Sequence, residues 1–430
     1  MKKIKIFLTT CSLPALVVLA SVSNAAESLI DPKLKAAFAV AAHERVAVIG
    51  IGDSNQRFGG HGHSAAMARA LGEALGCYGT ELTAYHPWAE KGQPIPAPAP
   101  VELASQAFRY WYIPAGQQGG ASWRNGQIIV SPDHPLGIQG HLRFHLTYGT
   151  FAGDAGSFLP EVRRDQEPWT VLEWAERPLK PAKVGWGFAH YSLDLPADEA
   201  RDYPVQFMPN SLRTPIEGPF LATFGSVENI DKRSGIAYHT LYASGGKSLG
   251  EMLTALRSYE PPQLDSYFTE VRRMLNGRRT CIVMICSGLN DRNRKGPSVG
   301  VQGGLVSSSP EGYADNLEGL VQLLTATWMR AGGSPETLHF AFMPSHPLGD
   351  PDDVRLVSYR VAAASLAARL PNASSINLAE LVPYDEMASQ GYYDQSRTSD
   401  PHLDRKGYMA IATSFARALK EPGASSSRHE

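Results

Sequence analysis

Three short blocks, far apart in the chain, carry side chains that can work on an ester carbonyl. Gly52-Asp53-Ser54-Asn55 offers a serine hydroxyl, Gly288-Leu289-Asn290-Asp291 an amide, and Asp400-Pro401-His402-Leu403 an imidazole. A serine hydroxyl is a weak nucleophile until an adjacent base takes its proton, and histidine is the side chain that ordinarily titrates nearest neutrality. A donor aimed at the carbonyl oxygen stabilises the charge that develops there, and an Asn amide in this role is worth ~2.7–4 kcal/mol. Each block also has a plainer reading by itself. Asp53 and Ser54 can simply cap a helix, Asn290 can occupy a turn, and His402 can sit in a surface loop. The chemistry therefore depends on whether the fold brings the three together.

The surrounding pattern predicts that it does. Residues 45–51, 280–286 and 337–343 are apolar runs of strand length, followed by helix-like segments at 64–75, 313–330 and 353–370. A further strand is expected at 375–378 and a last helix at 405–419. Residues 236–242 read as another strand. This alternation predicts an α/β layered fold with a parallel sheet. Ligands bind beyond the carboxyl ends of the strands in such sheets, and Ser54 and Asn290 each follow directly on one. A serine on a strand-to-helix turn exposes its Oγ and points its own N–H outward.

The middle of the chain differs. Residues 98–233 show no long helical period but hold short β-prone pieces, such as 126–130 and 142–148, punctuated by Gly and Pro. That is the texture of a β-sandwich-like insert. Pro and apolar residues alternate over 94–100, a stiff lead-in. Trp88, Trp111, Trp123, Trp169, Trp174 and Trp186 lie within or just before the insert. They suit a sandwich core, or a platform for sugar rings.

In this order, the three blocks resemble those of the SGNH (GDSL-like) hydrolases. The likeness covers residues 44–90 and 236–420, and implies a three-layer, flavodoxin-like core with the β-rich domain inserted into it. The implied boundaries are a signal peptide at 1–25, core at 26–95, insert at 96–235 and core again at 236–430. The resemblance implies Ser54 as nucleophile and His402 as general base. It implies an oxyanion hole from the N–H groups of Ser54 and Gly245 and the side chain of Asn290. Gly245 is taken from Ala243-Ser244-Gly245-Gly246, in preference to Gly246. One departure matters: the family's acid stands three residues before its histidine, where this chain has Ser399. Asp400, two before, either orients His402 in a reshaped loop or is idle while Ser54 and His402 work as a dyad. Asp404 and Asp394 are the other carboxylates at hand. No metal or organic cofactor is implied.

Competing motifs exist. Gly246-Lys247-Ser248-Leu249-Gly250 matches the nucleophile elbow of α/β-hydrolases, which would make Ser248 the attacking residue. The same stretch echoes a phosphate loop, but Leu241 stands where its first glycine must be. Gly60-His61-Gly62-His63 has two histidines without clustered Cys or carboxylate partners, weak grounds for a metal. His346 follows the third strand and receives no role.

The whole chain sets the setting. Lys2, Lys3 and Lys5 precede an apolar stretch over 6–22, and Ser23-Asn24-Ala25 supplies small residues for cleavage, the layout of an export signal. The mature chain is then expected outside the cytoplasm, periplasmic or secreted, without a stable membrane anchor. Net charge is −2, which excludes a nucleic-acid footprint. Cys77, Cys281 and Cys286 remain after cleavage, an odd number that suits core residues better than a disulfide framework. Export and the Trp-rich insert favour an O-acetylated carbohydrate over a lipid or aryl ester as substrate. A non-catalytic glycan-binding protein is the alternative from another class.

Overall fold

The computed structural model describes residues 29–56, 62–81, 83–84, 111–113, 127–129, 141–150, 157–158, 161–163, 170–171, 187–195, 211–213, 216–217, 220–243, 246–258, 261–293, 298–299, 305–306, 309–348, 354–393 and 402–421. The expected signal peptide at 1–25 lies outside the described residues. Among the described residues, no helix is long and apolar enough to cross a membrane.

The first element among the described residues is helix α1 (Pro32–Ala39), capped by the Asp31 carboxylate. Strand β1 (Arg45–Gly52) follows and is buried along its whole length. Helix α2 (His63–Leu75) and strand β2 (Cys77–Glu81) come next. The stretch read as an insert contributes three long strands: β3 (Leu142–Thr150), β4 (Gly187–Leu195) and β5 (Phe220–Asn229). Strand β6 (Gly235–Ala243) leads to helices α3 (Leu249–Ser258) and α4 (Pro261–Met274). Then come β7 (Cys281–Ser287), α5 (Pro310–Arg330), β8 (Leu338–Pro344), α6 (Val354–Arg369), β9 (Ala373–Ser375) and α7 (Arg405–Lys420).

The main sheet runs β4-β3-β5-β2-β6-β1-β7-β8-β9. From β2 to β9 every pairing is parallel, while β5, β3 and β4 add antiparallel strands beyond β2. The order β6-β1-β7-β8-β9 is that of flavodoxin-like sheets, with strand order reversing at β1. Thr83–Ala84, which precedes the stretch read as an insert, joins that stretch's short strands Gln127–Ile129, Ser211–Arg213, Glu161–Arg163 and Thr170–Val171 in a second sheet. The β-rich stretch therefore does two things: it supplies most of a small second sheet and extends the core sheet at one edge.

Successive side chains of a strand point to opposite faces, so a sheet covered on both sides must be apolar on both. Strand β1 follows this rule. Ala47, Ile49 and Ile51 join a core with α3, α4, α5 and α6, whereas Val46 and Val48 join one with α1, α2 and α7. Three layers result. Cys77, Cys281 and Cys286 are free and buried, as core residues.

Arg45, at the start of β1, ties the added strands to the core. Its buried guanidinium donates to the carbonyls of Asn229 (2.8 Å), Lys232 (2.8 Å) and Met274 (2.6 Å) and to the carboxylate of Glu228. The planar fork of donors suits arginine to such a junction.

Most expected elements lie within a few residues of their predicted ends. One needs correction: the last strand is Ala373–Ser375, not 375–378. Asn377 caps a short helix, Leu378–Leu381, so the apolar Leu378 belongs to a helix rather than a strand.

Glycine at position 52 is required by packing. A Cβ there would stand 2.6 Å from the Cys286 carbonyl oxygen and 2.9 Å from Gln56 Cβ. Gly52→Ala should therefore lower the urea unfolding midpoint, at a cost of about 1–3 kcal/mol for overpacking. An unchanged midpoint would mean that β1 and β7 have room to separate.

Candidate active site

The turn after β1 is built from its own side chains. Ser54–Gln56 forms a short 3-10 turn, with the Gln56 N–H donating to the Asp53 carbonyl at 3.0 Å. Asp53 Oδ1 accepts from both the backbone N–H and the side-chain amide of Asn55, each at 2.9 Å. The Asn55 side-chain oxygen in turn accepts from the Tyr408 hydroxyl at 2.8 Å. Tyr408 lies on α7, so this buried chain fastens the first turn of the core to its last helix. Behind it, Gln56 donates to Ser64 Oγ (2.9 Å) and to the Tyr238 hydroxyl (2.6 Å), and Ser64 Oγ also meets Thr240 Oγ1 at 2.9 Å.

The same arrangement delivers His402. Its Nε2 lies 2.5 Å from Ser54 Oγ, across 348 positions of sequence. The residues that follow hold it there. Leu403 bridges to Tyr393, the Asp404 N–H donates to the Tyr392 carbonyl at 2.7 Å, and the Asp404 carboxylate caps α7 through the Gly407 N–H. Gly407 permits this close approach, since a Cβ there would stand 2.8 Å from the Tyr392 carbonyl. Ser54 is nearly buried and His402 half-buried, which leaves a reachable imidazole beside a sheltered hydroxyl.

Asn290 follows the neighbouring strand, in the short helix Leu289–Asn293, and is half-buried. One of its amide hydrogens goes to the Lys247 carbonyl at 3.1 Å. That leaves the other available, because an amide carries two. Its neighbour Asp291 is buried and accepts from the Leu249 N–H with both oxygens, at 3.0 and 3.1 Å. The two residues thus clamp the segment between β6 and α3 to the end of β7. Gly288 permits the turn with φ of 113°.

Gly245, Asp400 and Asp394 lie outside the described residues. Asp404 is committed to capping α7. Ser248 has a clear structural duty: its N–H and its hydroxyl each donate to Glu251 Oε2 at 2.9 Å, and the Glu251 N–H returns to Ser248 Oγ at 3.4 Å. This is a capping box at the start of α3, and the Ser248-x-x-Glu251 spacing announces it. The elbow-like glycines around Ser248 therefore frame a helix cap, while the imidazole is placed against Ser54. His61 also lies outside the described residues, and His63 is buried. Its ring packs edge-on against Tyr408, at 5.0 Å between centroids. His346 is buried beside Tyr393 and Tyr408.

Burial dominates the electrostatics. It pushes Asp53 up to about 6, against the opposing pull of the Asn55 hydrogen bonds and the nearby His402. It pushes Asp291 up to about 7, against the Leu249 N–H. His63 is driven down to about 3 by burial and by the charge His346 would carry. Displaced titrations of this kind gather at functional sites.

Tyr408 and Asn55 are positioning groups that motif reading passes over, although Asn55 stands inside the first block and Tyr408 on the expected last helix. Nothing in the sequence pairs residues 353 apart.

No protein-family model matches the chain, and no curated protein matches it in sequence. Solved structures do resemble it. A structure described as a peptidoglycan O-acetylesterase in action superposes with a TM-score of 0.54 at 14% identity, covering 91% of this chain and 95% of the other. The carbohydrate acetylesterase Est24 from Sinorhizobium meliloti matches at TM-score 0.26 and 14% identity, over 42% of this chain and 78% of its own. A member of the lipolytic G-D-S-L family from Veillonella parvula matches at TM-score 0.26 and 12% identity, over 42% and 79%. The chain has the SGNH hydrolase fold, an α/β core that carries added β structure.

Asp291 provides a pH test. Burial raises it from the ordinary carboxylate value of 3.8 to about 7 in the folded protein, so folding takes up a proton between these values. The contribution is fully present below about 3.8 and is lost as pH rises through about 7. Melting temperature plotted against pH should therefore fall more steeply for the unmutated chain than for Asp291→Asn between about pH 4 and 7. Parallel curves would mean that Asp291 ionises in the folded protein as it does in the unfolded one.

Proposed function

We propose that this protein is an exported serine esterase that removes O-acetyl groups from a carbohydrate. The observation that carries the reading is the 2.5 Å approach of His402 Nε2 to Ser54 Oγ, at the point where strand order reverses. A nucleophile needs its base within hydrogen-bond reach, and an open α/β sheet keeps its crevice there.

In this reading, His402 Nε2 takes the proton from Ser54 Oγ as the oxygen attacks the acetyl carbonyl. The tetrahedral oxyanion receives hydrogen bonds from the N–H groups of Ser54 and Gly245 and from the free amide hydrogen of Asn290. Collapse breaks the bond to the sugar oxygen, which leaves with the proton from His402. A water then attacks the acetyl-Ser54 carbonyl while His402 takes its proton. Acetate departs and the hydroxyl is restored. Asp400 is assigned to hold the imidazole tautomer.

The substrate class rests on independent supports. Fold likeness over 91% of the chain to a peptidoglycan O-acetylesterase supports an O-acetylated glycan. The basic start, apolar stretch and small residues before Ala25 support export, and cell-wall glycans lie outside the cytoplasm.

Hydrolysis of p-nitrophenyl acetate and release of acetate from O-acetylated peptidoglycan test the reading. Ser54→Ala should abolish both, by about 10³-fold or more in kcat, and Asn290→Ala should lower kcat by about 10²–10³-fold. Ser248→Ala should lower stability by about 1 kcal/mol and leave kcat intact. Asp400→Asn should cost up to about 10⁴-fold, and an unchanged rate would make Ser54 and His402 a dyad. A folded chain that binds the glycan without releasing acetate would instead be a binding protein.

A further inference from the structure

Away from Ser54 and His402, three side chains converge from three elements at the extended edge of the sheet. His145 lies on β3, His190 on β4 and Glu270 on α4, and each offers a ligand atom within 4.8 Å of the other two. Three atoms so spaced share a centre within about 2.8 Å of each. Bonds of about 2.0–2.2 Å are then reached by side-chain shifts of well under about 1 Å. His145 and Glu270 are buried, with side chains 3% and 4% exposed, and His190 is 19% exposed.

We propose that His145, His190 and Glu270 bind a divalent transition-metal ion of the Zn²⁺ class, which clamps the β3–β4 edge to α4. Two imidazoles and a carboxylate suit Zn²⁺ and its neighbours in the series, and suit Mg²⁺ or Ca²⁺ poorly.

The hydrogen bonding around the ligands supports this. His145 Nε2 lies 2.7 Å from Glu228 Oε1, while its Nδ1 is buried without a hydrogen-bond partner. Glu228 is itself neutralised by the buried Arg45. With Nε2 directed at Glu228, Nδ1 is the ring nitrogen left to meet a ligand. A carboxylate on the far nitrogen is the usual support of a metal-ligating histidine, because it fixes the tautomer and raises the ligand's basicity. His190 Nδ1 stands 2.5 Å from Glu270 Oε2 without the alignment of a hydrogen bond, and Nε2 is likewise buried without a hydrogen-bond partner. Arg273 holds the same Oε2 at 3.0 Å.

The metal-free alternative is an ion pair between protonated His190 and Glu270. It leaves His145 Nδ1 buried and unsatisfied, which an ion within reach of all three would relieve. Three protein ligands leave a further position for water, which the partial exposure of His190 admits. Because the ligands come from β3, β4 and α4, the ion would cross-link strands of the inserted stretch to a core helix. This does not depend on the esterase reading.

The test uses the full exported chain, freed of metal with a chelator and titrated with ZnCl2 by calorimetry, with melting followed in parallel. One equivalent of Zn²⁺ should bind and raise the melting temperature, and Ser54→Ala should behave identically. His190→Gln should weaken binding by about tenfold or more, as should Glu228→Gln, which removes the supporting carboxylate charge. Absence of binding, or binding that His190→Gln leaves unchanged, overturns the proposal. If a variant fails to fold by circular dichroism, Co²⁺ in the unmutated chain decides. Intense visible bands of a low-coordinate site support the proposal, and the faint spectrum of the hydrated ion overturns it.

Discussion

Reversal of strand order at β1 is the constraint on which the site depends. β6 lies on one side of this strand and β7 on the other, in register along most of its length. Connections leaving for the two sides part above its carboxyl end, so a crevice opens where neither layer of helices can close over it. The turn carrying Ser54 begins at that end, and Asn290 follows the adjacent strand. Glycines 50 and 52 let Gln56, Tyr238 and the Cys286 backbone come close enough to make the turn rigid.

The local physics is costly. Asp53, Gln56, His63, Asp291 and His346 are all buried around one end of the sheet, where an apolar core would be more stable. Polar groups persist in such a place when each finds partners. Here Asp53 leans on Asn55, Asn55 on Tyr408, and Asp291 on the N-terminus of α3. One Asp53 oxygen still has no hydrogen-bond partner, and burial accordingly lifts its titration. The result is a stiff frame that holds a hydroxyl and an imidazole from opposite ends of the chain at hydrogen-bonding distance.

The added β structure is joined to the core by a different device. Arg45, on β1, donates to β5, to the turn that follows it and to the end of α4. Glu228, its carboxylate partner, also reaches His145. The junction is thus one connected polar cluster running from the first core strand to the outer edge of the sheet. Such networks specify geometry strongly when every member is satisfied, and an unsatisfied member is costly to bury.

What the sequence alone determined is local. Strand and helix periods, the caps, and the types of residue that follow each strand are short-range properties, so the α/β core was legible within a few residues. The misplaced end of β9 arose because apolar runs look alike in strand and helix, and Asn377 capping decided between them. Ser54, Asn290 and His402 were legible as residue types in order, whereas Ser248 matched a nucleophile elbow and only its contacts with Glu251 showed it to be a helix cap. Tertiary structure alone decided that His402 meets Ser54, that Tyr408 holds Asn55, and that strands of the inserted stretch continue the core sheet. It also decided that His145, His190 and Glu270 converge. Each of these pairs groups that are distant along the chain, and only packing of the layers, driven by burial of both sheet faces, fixes such distances.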